Sequence, residues 1–249
     1  MLLKDKVVVV HGARGAVGSA MARTFAREGA RLFLAGRSLD RLAPLARDIG
    51  SEAHRVDALS EDEVEAHSEL VLSAAGRIDA SVNAMNPDPV QGVSITDIPL
   101  DAYLGPIQRW VTSQFLTARS AARRMIAQKS GVILTLSASP ARLAIAGTGG
   151  FATACAAIEG LTRSLAAELG PHQVRAVGLR AQRIGDTLQD DPDLPMPPAE
   201  FRQFLEDLTL TRTLPTLAQV AETAAFLLSD RAGAITGGIA NLTCGMDVD

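Results

Sequence analysis

A run of four valines, Val7–Val10, passes directly into His11-Gly12-Ala13-Arg14-Gly15-Ala16-Val17-Gly18, and no other feature of the chain restricts its fold so much. Glycines at 12, 15 and 18 let a strand turn tightly into a helix, bring the backbone close to a pyrophosphate, and seat the helix against the strand. The helix that starts there turns unpaired N–H groups toward negative phosphates. Glycine triplets are common, so the weight lies in position: strand before, helix-spaced segment Ala16–Glu28 after, all near the start of the chain. A tight βα turn without a ligand is the competing reading, and this context speaks against it.

The remainder repeats the alternation. Apolar runs of strand length at Arg31–Ala35, Ala53–Val56, Ala80–Asn83, Gly131–Ser137, Val174–Arg180 and Ile239–Thr243 are separated by helix-period segments. Among these are Asp40–Asp48, Glu61–Ala75 and Thr153–Leu169, with Gly29, Gly50, Gly76 and Gly170 placed to stop helices. The pattern predicts an α/β fold: a Rossmann-type doubly wound parallel sheet of about seven strands. It spans residues 1–249 as a single dinucleotide-binding domain. One compositional break, Gly185–Pro215, is acidic and holds Pro192, Pro195, Pro197, Pro198 and Pro215. It reads as a flap over a site or a surface excursion, with a short helix at Ala199–Leu208.

Composition removes several function classes. A net charge of −4 opposes a nucleic-acid partner, which needs a clustered positive field. Two cysteines, Cys155 and Cys244, are too few for a disulfide framework or a zinc site. His11, His54, His67 and His172 lie far apart in sequence without ligand spacing, so no metal is expected. No apolar run reaches membrane-spanning length, and the N-terminus lacks the parts of a signal peptide. A cytoplasmic protein without membrane association is the expectation.

The type of dinucleotide is also readable. NAD sites place an acidic residue about 20 positions after the glycines, where it takes the ribose 2′-hydroxyl. Here the second strand ends Ala35-Gly36-Arg37-Ser38, with no carboxylate at its tip. Arg37 and Arg14 suit a 2′-phosphate, whereas Asp40 follows a Ser38 cap as a first-turn helix residue. NADP(H) is expected in preference to NAD(H).

With these motifs in place, the chain resembles the short-chain dehydrogenase/reductase family along nearly its whole length. Asp57 matches the family's adenine-contacting aspartate, and Val82-Asn83-Ala84-Met85-Asn86 is similar to its fourth-strand motif, keeping the first asparagine. Ala157–Leu169 resembles its long fifth helix, and Ala225–Asp230 with Thr236-Gly237-Gly238 resembles its close. The resemblance implies cofactor contacts at Gly12, Arg14, Gly15, Ala16, Val17, Gly18, Arg37, Asp57 and Asn83.

It also implies an Asn-Ser-Tyr-Lys set for carbonyl reduction, and this is where the chain departs. The matching positions hold Trp110, Ala138, Phe151 and Cys155, and Ala181-Gln182 replaces the family's Pro-Gly turn beside the nicotinamide. No realignment restores the pair. Tyr103 is the only tyrosine, and the three lysines, Lys4, Lys6 and Lys129, precede strands, away from the carboxyl edge where ligands bind. Phenylalanine donates no proton, a contribution worth roughly 10²–10⁴ in rate. The family's usual carbonyl reduction is therefore expected to be absent.

Three functions stay open: an NADP(H)-binding member with a degenerate active site, an oxidoreductase with another proton donor acting on an apolar substrate, and a scaffold or interaction protein. The four replacements create either an apolar pocket for a small apolar molecule or a filled one. Cys155 reads as a structural thiol, with a nucleophile as the alternative. The small-residue faces of Thr112–Met125 and Phe151–Leu169 imply a homodimer or homotetramer by resemblance.

Overall fold

The computed structural model describes residues 1–189, 194 and 196–248. Seven parallel strands form one sheet: β1 (Val7–His11), β2 (Arg31–Gly36), β3 (Glu52–Arg55), β4 (Ala80–Asn83), β5 (Gly131–Ala138), β6 (Val174–Ala181) and β7 (Ile239–Leu242). Their order is β3-β2-β1-β4-β5-β6-β7. Strand β1 is buried along its whole length. A central parallel strand is covered on both faces, and β-branched valine suits that position.

Among the described residues there are eight α-helices: α1 (Ala16–Arg27), α2 (Leu39–Ile49), α3 (Glu61–Ala75), α4 (Leu100–Pro106), α5 (Thr112–Gln128), α6 (Gly150–Leu169), α7 (Pro198–Asp207) and α8 (Leu217–Leu228). One face packs against α1, α2 and α8 through Met21, Phe25, Leu42, Leu45, Val220 and Leu227. The other packs against α3, α5 and α6 through Val71, Met125 and Leu169. After β3 at one edge the chain returns to place β4 beside β1. That reversal opens a crevice at the carboxyl ends of the strands, where open α/β sheets bind ligands.

Local chemistry explains most element ends. Ser60 caps α3 by accepting from the Glu63 N–H, and three acidic residues follow in its first turn. Thr216 and Gln219 form a capping box on α8. Gly50 and Gly76 close their helices in the left-handed conformation, as their spacing predicts. Gly170 does not. It keeps right-handed geometry, the chain continues as a 3₁₀ turn over Gly170–His172, and Gln173 takes the left-handed position. Ser38 is the residue before α2, yet its side chain makes no capping hydrogen bond.

Helix α6 begins at Gly150, earlier than the sequence suggests. A Cβ on Gly150 would lie 1.7 Å from the carbonyl oxygen of Tyr103, so the glycine allows α4 to cross the start of α6. The expected helix at Ala199–Leu208 is α7, one residue earlier. Leu205 packs there with Leu188 and Leu214 of the same segment, and Met246 from the C-terminal end packs against this cluster. Residues 190–193 and 195, including Pro192 and Pro195, lie outside the described residues. No helix among the described residues is long and apolar enough to cross a membrane.

Candidate functional site

The loops after β1, β2, β3 and β4 enclose a cavity of about 430 Å³ at the carboxyl edge of the sheet. Gly12, Arg14, Gly15, Arg37 and Asp57, all singled out in the sequence, line it. Gly12 has a φ of +74°, and a Cβ there would sit 2.6 Å from the backbone of Ala84 and Met85. Gly18 faces the body instead, where a Cβ would lie 2.4 Å from the Gly12 oxygen. It permits helix-against-strand packing, while Ala16 and Val17 form the first turn of α1 beside it. The cap of that helix is Gly15, which offers no side-chain acceptor to the first-turn N–H groups. Those donors remain available for an anion.

Arg41, which sequence reasoning passed over, joins Arg14 and Arg37 in the cavity wall, and Asp57 is the only carboxylate there. All three arginines are exposed. No carboxylate pairs with any of them among the described residues. Arg41 stands in the first turn of α2, where the helix dipole disfavours a cation and favours the neighbouring Asp40. The signal was a basic residue at the wrong end of a helix. Asp57 accepts a hydrogen bond from the Leu59 N–H at 3.0 Å.

Asn83 does not line this cavity. Its amide donates to Thr117 Oγ1, its Oδ1 accepts from the Met85 N–H, and its carbonyl accepts from Gln114. It pins β4 to α5.

Trp110, Ala138, Phe151 and Cys155 come together beyond β4 and β5. Trp110 lies on a π-helical turn, Ile107–Val111, between α4 and α5. Its ring stacks on Phe151 with centroids 5.5 Å apart and planes within 13°. Cys155, Ala154 and Ile158 complete the cluster, with Ala138 and Met85 at its margin. Of the two readings, the filled pocket matches this packing. The indole Nε1 of Trp110 is buried with no hydrogen-bond partner among the described residues. Cys155 is fully buried, and burial, reinforced by the Glu159 carboxylate, pushes its thiol up to about 12. The structural-thiol reading fits, since a nucleophile needs a thiolate. Tyr103 donates to or accepts from Thr153 Oγ1 on α6 at 3.0 Å.

Two further groupings were not legible in the sequence. Arg180 is buried between Glu159 and Asp247, with Nε–Oε1 at 2.8 Å and Nη1–Oδ2 at 2.6 Å. Ser137 Oγ donates to the same Glu159 oxygen at 3.0 Å. The expected dispersal of the histidines is corrected: the sheet and α3 bring three of them together. His67 Nε2 lies 3.2 Å from His54 Nδ1, and the His11 and His67 rings meet edge to face at 5.7 Å. Burial lowers His11 to about 4 and His67 to about 3, the latter helped by its two neighbours. No group of three ligating side chains among the described residues is arranged to hold a metal.

A family model described as enoyl-(acyl carrier protein) reductase matches residues 12–247. The chain is 30% identical to the cis-4-hydroxycyclohexanecarboxylate dehydrogenase of Sinomonas cyclohexanicum, covering 94% of each chain. It is 27% identical to the mitochondrial borneol dehydrogenase of Lavandula x intermedia, over 94% of this chain and 88% of that one. An NAD⁺-bound xylitol dehydrogenase has the same fold, with a TM-score of 0.87 at 23% identity, over 97% of this chain and 99% of that one.

Proposed function

The chain belongs to the short-chain dehydrogenase/reductase family of oxidoreductases, and from that premise we propose that it binds NADP(H) without the family's usual carbonyl reduction. The observation that carries this reading is the contrast between the two halves of the carboxyl edge. One half is a cavity walled by three arginines that have no carboxylate partner among the described residues. The other is a packed cluster of Trp110, Phe151, Cys155 and Ala138, with no proton donor poised at those positions.

The residues present fit a dinucleotide. Gly12 and Gly15 leave the backbone open to a pyrophosphate, and the uncapped first turn of α1 offers its N–H groups. Arg14 and Arg37, with Arg41 added, suit a 2′-phosphate dianion, because guanidinium groups match phosphate geometry. Asp57 stands at the adenine end of the same wall. Bound NADPH would supply a hydride; this chain's own residues orient the adenosine half and seal the far half from water.

The test is calorimetric titration with NADPH and NADH, beside the Arg37→Ala variant, followed by a carbonyl panel. Tight NADPH binding, weakened by R37A and accompanied by negligible turnover, supports the reading. Steady NADPH oxidation at rates ordinary for the family would sink the claim about chemistry. Equal affinity for NADH would sink the claim about the phosphate. A second reading, hydride transfer to an alicyclic substrate with another proton donor, is favoured by relatives that are named dehydrogenases of borneol and of a hydroxycyclohexanecarboxylate. Self-association as a homodimer or homotetramer through α5 and α6 is part of the same proposal, and Phe115 on α5 is exposed on one such face.

A further inference from the structure

Residues 86–98, between β4 and α4, form a strap without helix or strand that is held at two places. Arg109 Nη2 donates to the Asp88 carbonyl at 3.0 Å and, at 3.4 Å, to the Pro87 carbonyl. Further along, the Gly92 N–H donates to the Gly147 carbonyl at 2.8 Å. Glycine keeps these segments close, since a Cβ on Gly149 would lie 2.8 Å from the Ile98 side chain. The strap therefore joins the residue before Trp110 to the turn that leads into Phe151, the two neighbours of the stacked pair. Asp88 has a φ of +50°, so the backbone is strained where Arg109 grips it.

Arg109 and Trp110 are consecutive on the π-helical turn Ile107–Val111. Such a turn is a local insertion in a helix, and these insertions concentrate at functional sites. Shifting the insertion by one residue rotates the side chains it passes by about 100°, the angle per residue at 3.6 residues per turn. Both residues rotate together, because they belong to one turn. The indole then leaves Phe151 as the guanidinium leaves the strap. The closed arrangement is not fully satisfied. Its indole N–H is buried with no partner among the described residues, a desolvation cost that ends when the group reaches water. Stacking on Phe151 and the grip on the Asp88 carbonyl oppose that cost.

We propose that Trp110 is a movable plug latched by Arg109: the closed turn holds the indole between β5 and α6, and a shift of the π-turn vacates that space for an apolar ring of similar size. The chain's own side chain is thus the first competitor of any ligand there. Arg109 is exposed and absent from the arginine-walled cavity, and this gives it a positioning role that acts through Trp110. The inference goes beyond the cofactor reading and does not depend on which dinucleotide binds.

Trp110 is the only tryptophan, so its indole proton is a single NMR resonance. The experiment measures hydrogen exchange of that proton, with the β1 amides as the reference for global unfolding, in wild type, Arg109→Met and Arg109→Lys. R109M should speed indole exchange about three- to tenfold, the worth of one charged hydrogen bond discounted for the exposure of Arg109. The β1 amides should keep their rates, and R109K, which retains a donor, should stay closer to wild type. Low urea should hardly alter indole exchange in wild type, because a local shift exposes little surface. Free indole, titrated as a probe of the vacated space, should bind R109M more tightly by the same factor, since the competent state is more populated.

Indole exchange in R109M equal to that of wild type overturns the proposal. So does an acceleration shared by the β1 amides, which marks general destabilisation, and so does free indole binding no more tightly to R109M. Should R109M fail to fold, wild type decides alone: indole exchange as steep in urea as that of the β1 amides refutes a local shift. None of these outcomes bears on the titration with NADPH, so the two readings fail separately.

Discussion

Replacing Arg180 with methionine removes the buried cation between two buried carboxylates, Glu159 and Asp247, and leaves Asp247 only the exposed Arg142, at 3.5 Å, among its ion pairs with described residues. Arg180, Glu159 and Asp247 are 2%, 5% and 8% exposed, so water screens little of what remains. The guanidinium meets Glu159 through two nitrogens, Nε–Oε1 at 2.8 Å and Nη2–Oε2 at 3.0 Å, and meets Asp247 at 2.6 Å. Breaking a buried pair from one side costs about 3–5 kcal/mol, mainly because the abandoned charge stays buried. For a domain of this size each kcal/mol moves the melting temperature by roughly 2–4 °C, so R180M should melt roughly 6–20 °C below wild type. Calorimetry and urea unfolding at neutral pH measure both quantities. The triple variant Arg180→Met, Glu159→Gln, Asp247→Asn should recover most of the loss, because no charge is left stranded. A loss below about 1 kcal/mol, or a triple variant no better than R180M, would refute the account of the network as a compensated charge cluster.

Other expectations follow from the same geometry. Gly150→Ala would drive a Cβ to 1.7 Å from the Tyr103 oxygen. Separating α4 from α6 should lower stability by about 3 kcal/mol or more, and a melting temperature like that of wild type would contradict the close crossing. His11 and His67 are held neutral in the fold, lowered by burial from 6.5 to about 4 and about 3. Below pH about 6.5 the unfolded chain binds protons that the folded chain refuses, so stability is full above that pH and declines toward pH 4. His11 alone accounts for a decline on the order of 3 kcal/mol. His67→Leu should flatten the pH dependence between pH 6.5 and 4, and an unchanged slope counts against the assignment. Cys155, with its thiol pushed up to about 12, should resist a thiol reagent in the native state and react only on unfolding. Rapid labelling of Cys155 in folded protein, located by mass spectrometry, would rule out the structural role.

Periodicity and glycine chemistry are local, and what is local was legible. Each strand alternates with a helix-spaced run, so the seven strands and the order of elements could be placed to within a residue or two. Gly12 and Gly15 were recognisable because a strand-to-helix turn needs them at that spacing. That Tyr103 is the sole tyrosine and that no lysine follows Lys129 was legible as well, since an inventory does not depend on folding. Gly170 was misread because a proline follows it, and the helix tightens into a 3₁₀ turn instead of reversing.

The remaining features depend on which distant residues share a space. Arg41 reads as ordinary helix surface until α2 presents it to the cavity that holds Arg14 and Arg37. Glu159, Arg180 and Asp247 come from α6, β6 and the C-terminal segment, and only sheet closure makes one cluster of them. His11 and His54 stand level on either side of β2, at Ala35, and α3 brings His67 against both. The replacements at 110, 138, 151 and 155 could be listed from the sequence. Whether they leave a hollow or fill it was decided by the stacking of Trp110 on Phe151. Backbone propensity is fixed by neighbours along the chain, and so sequence alone determined the α/β frame and its glycine loop. Burial, charge pairing and pocket volume are properties of side chains brought together across the fold, and only the tertiary structure could decide them.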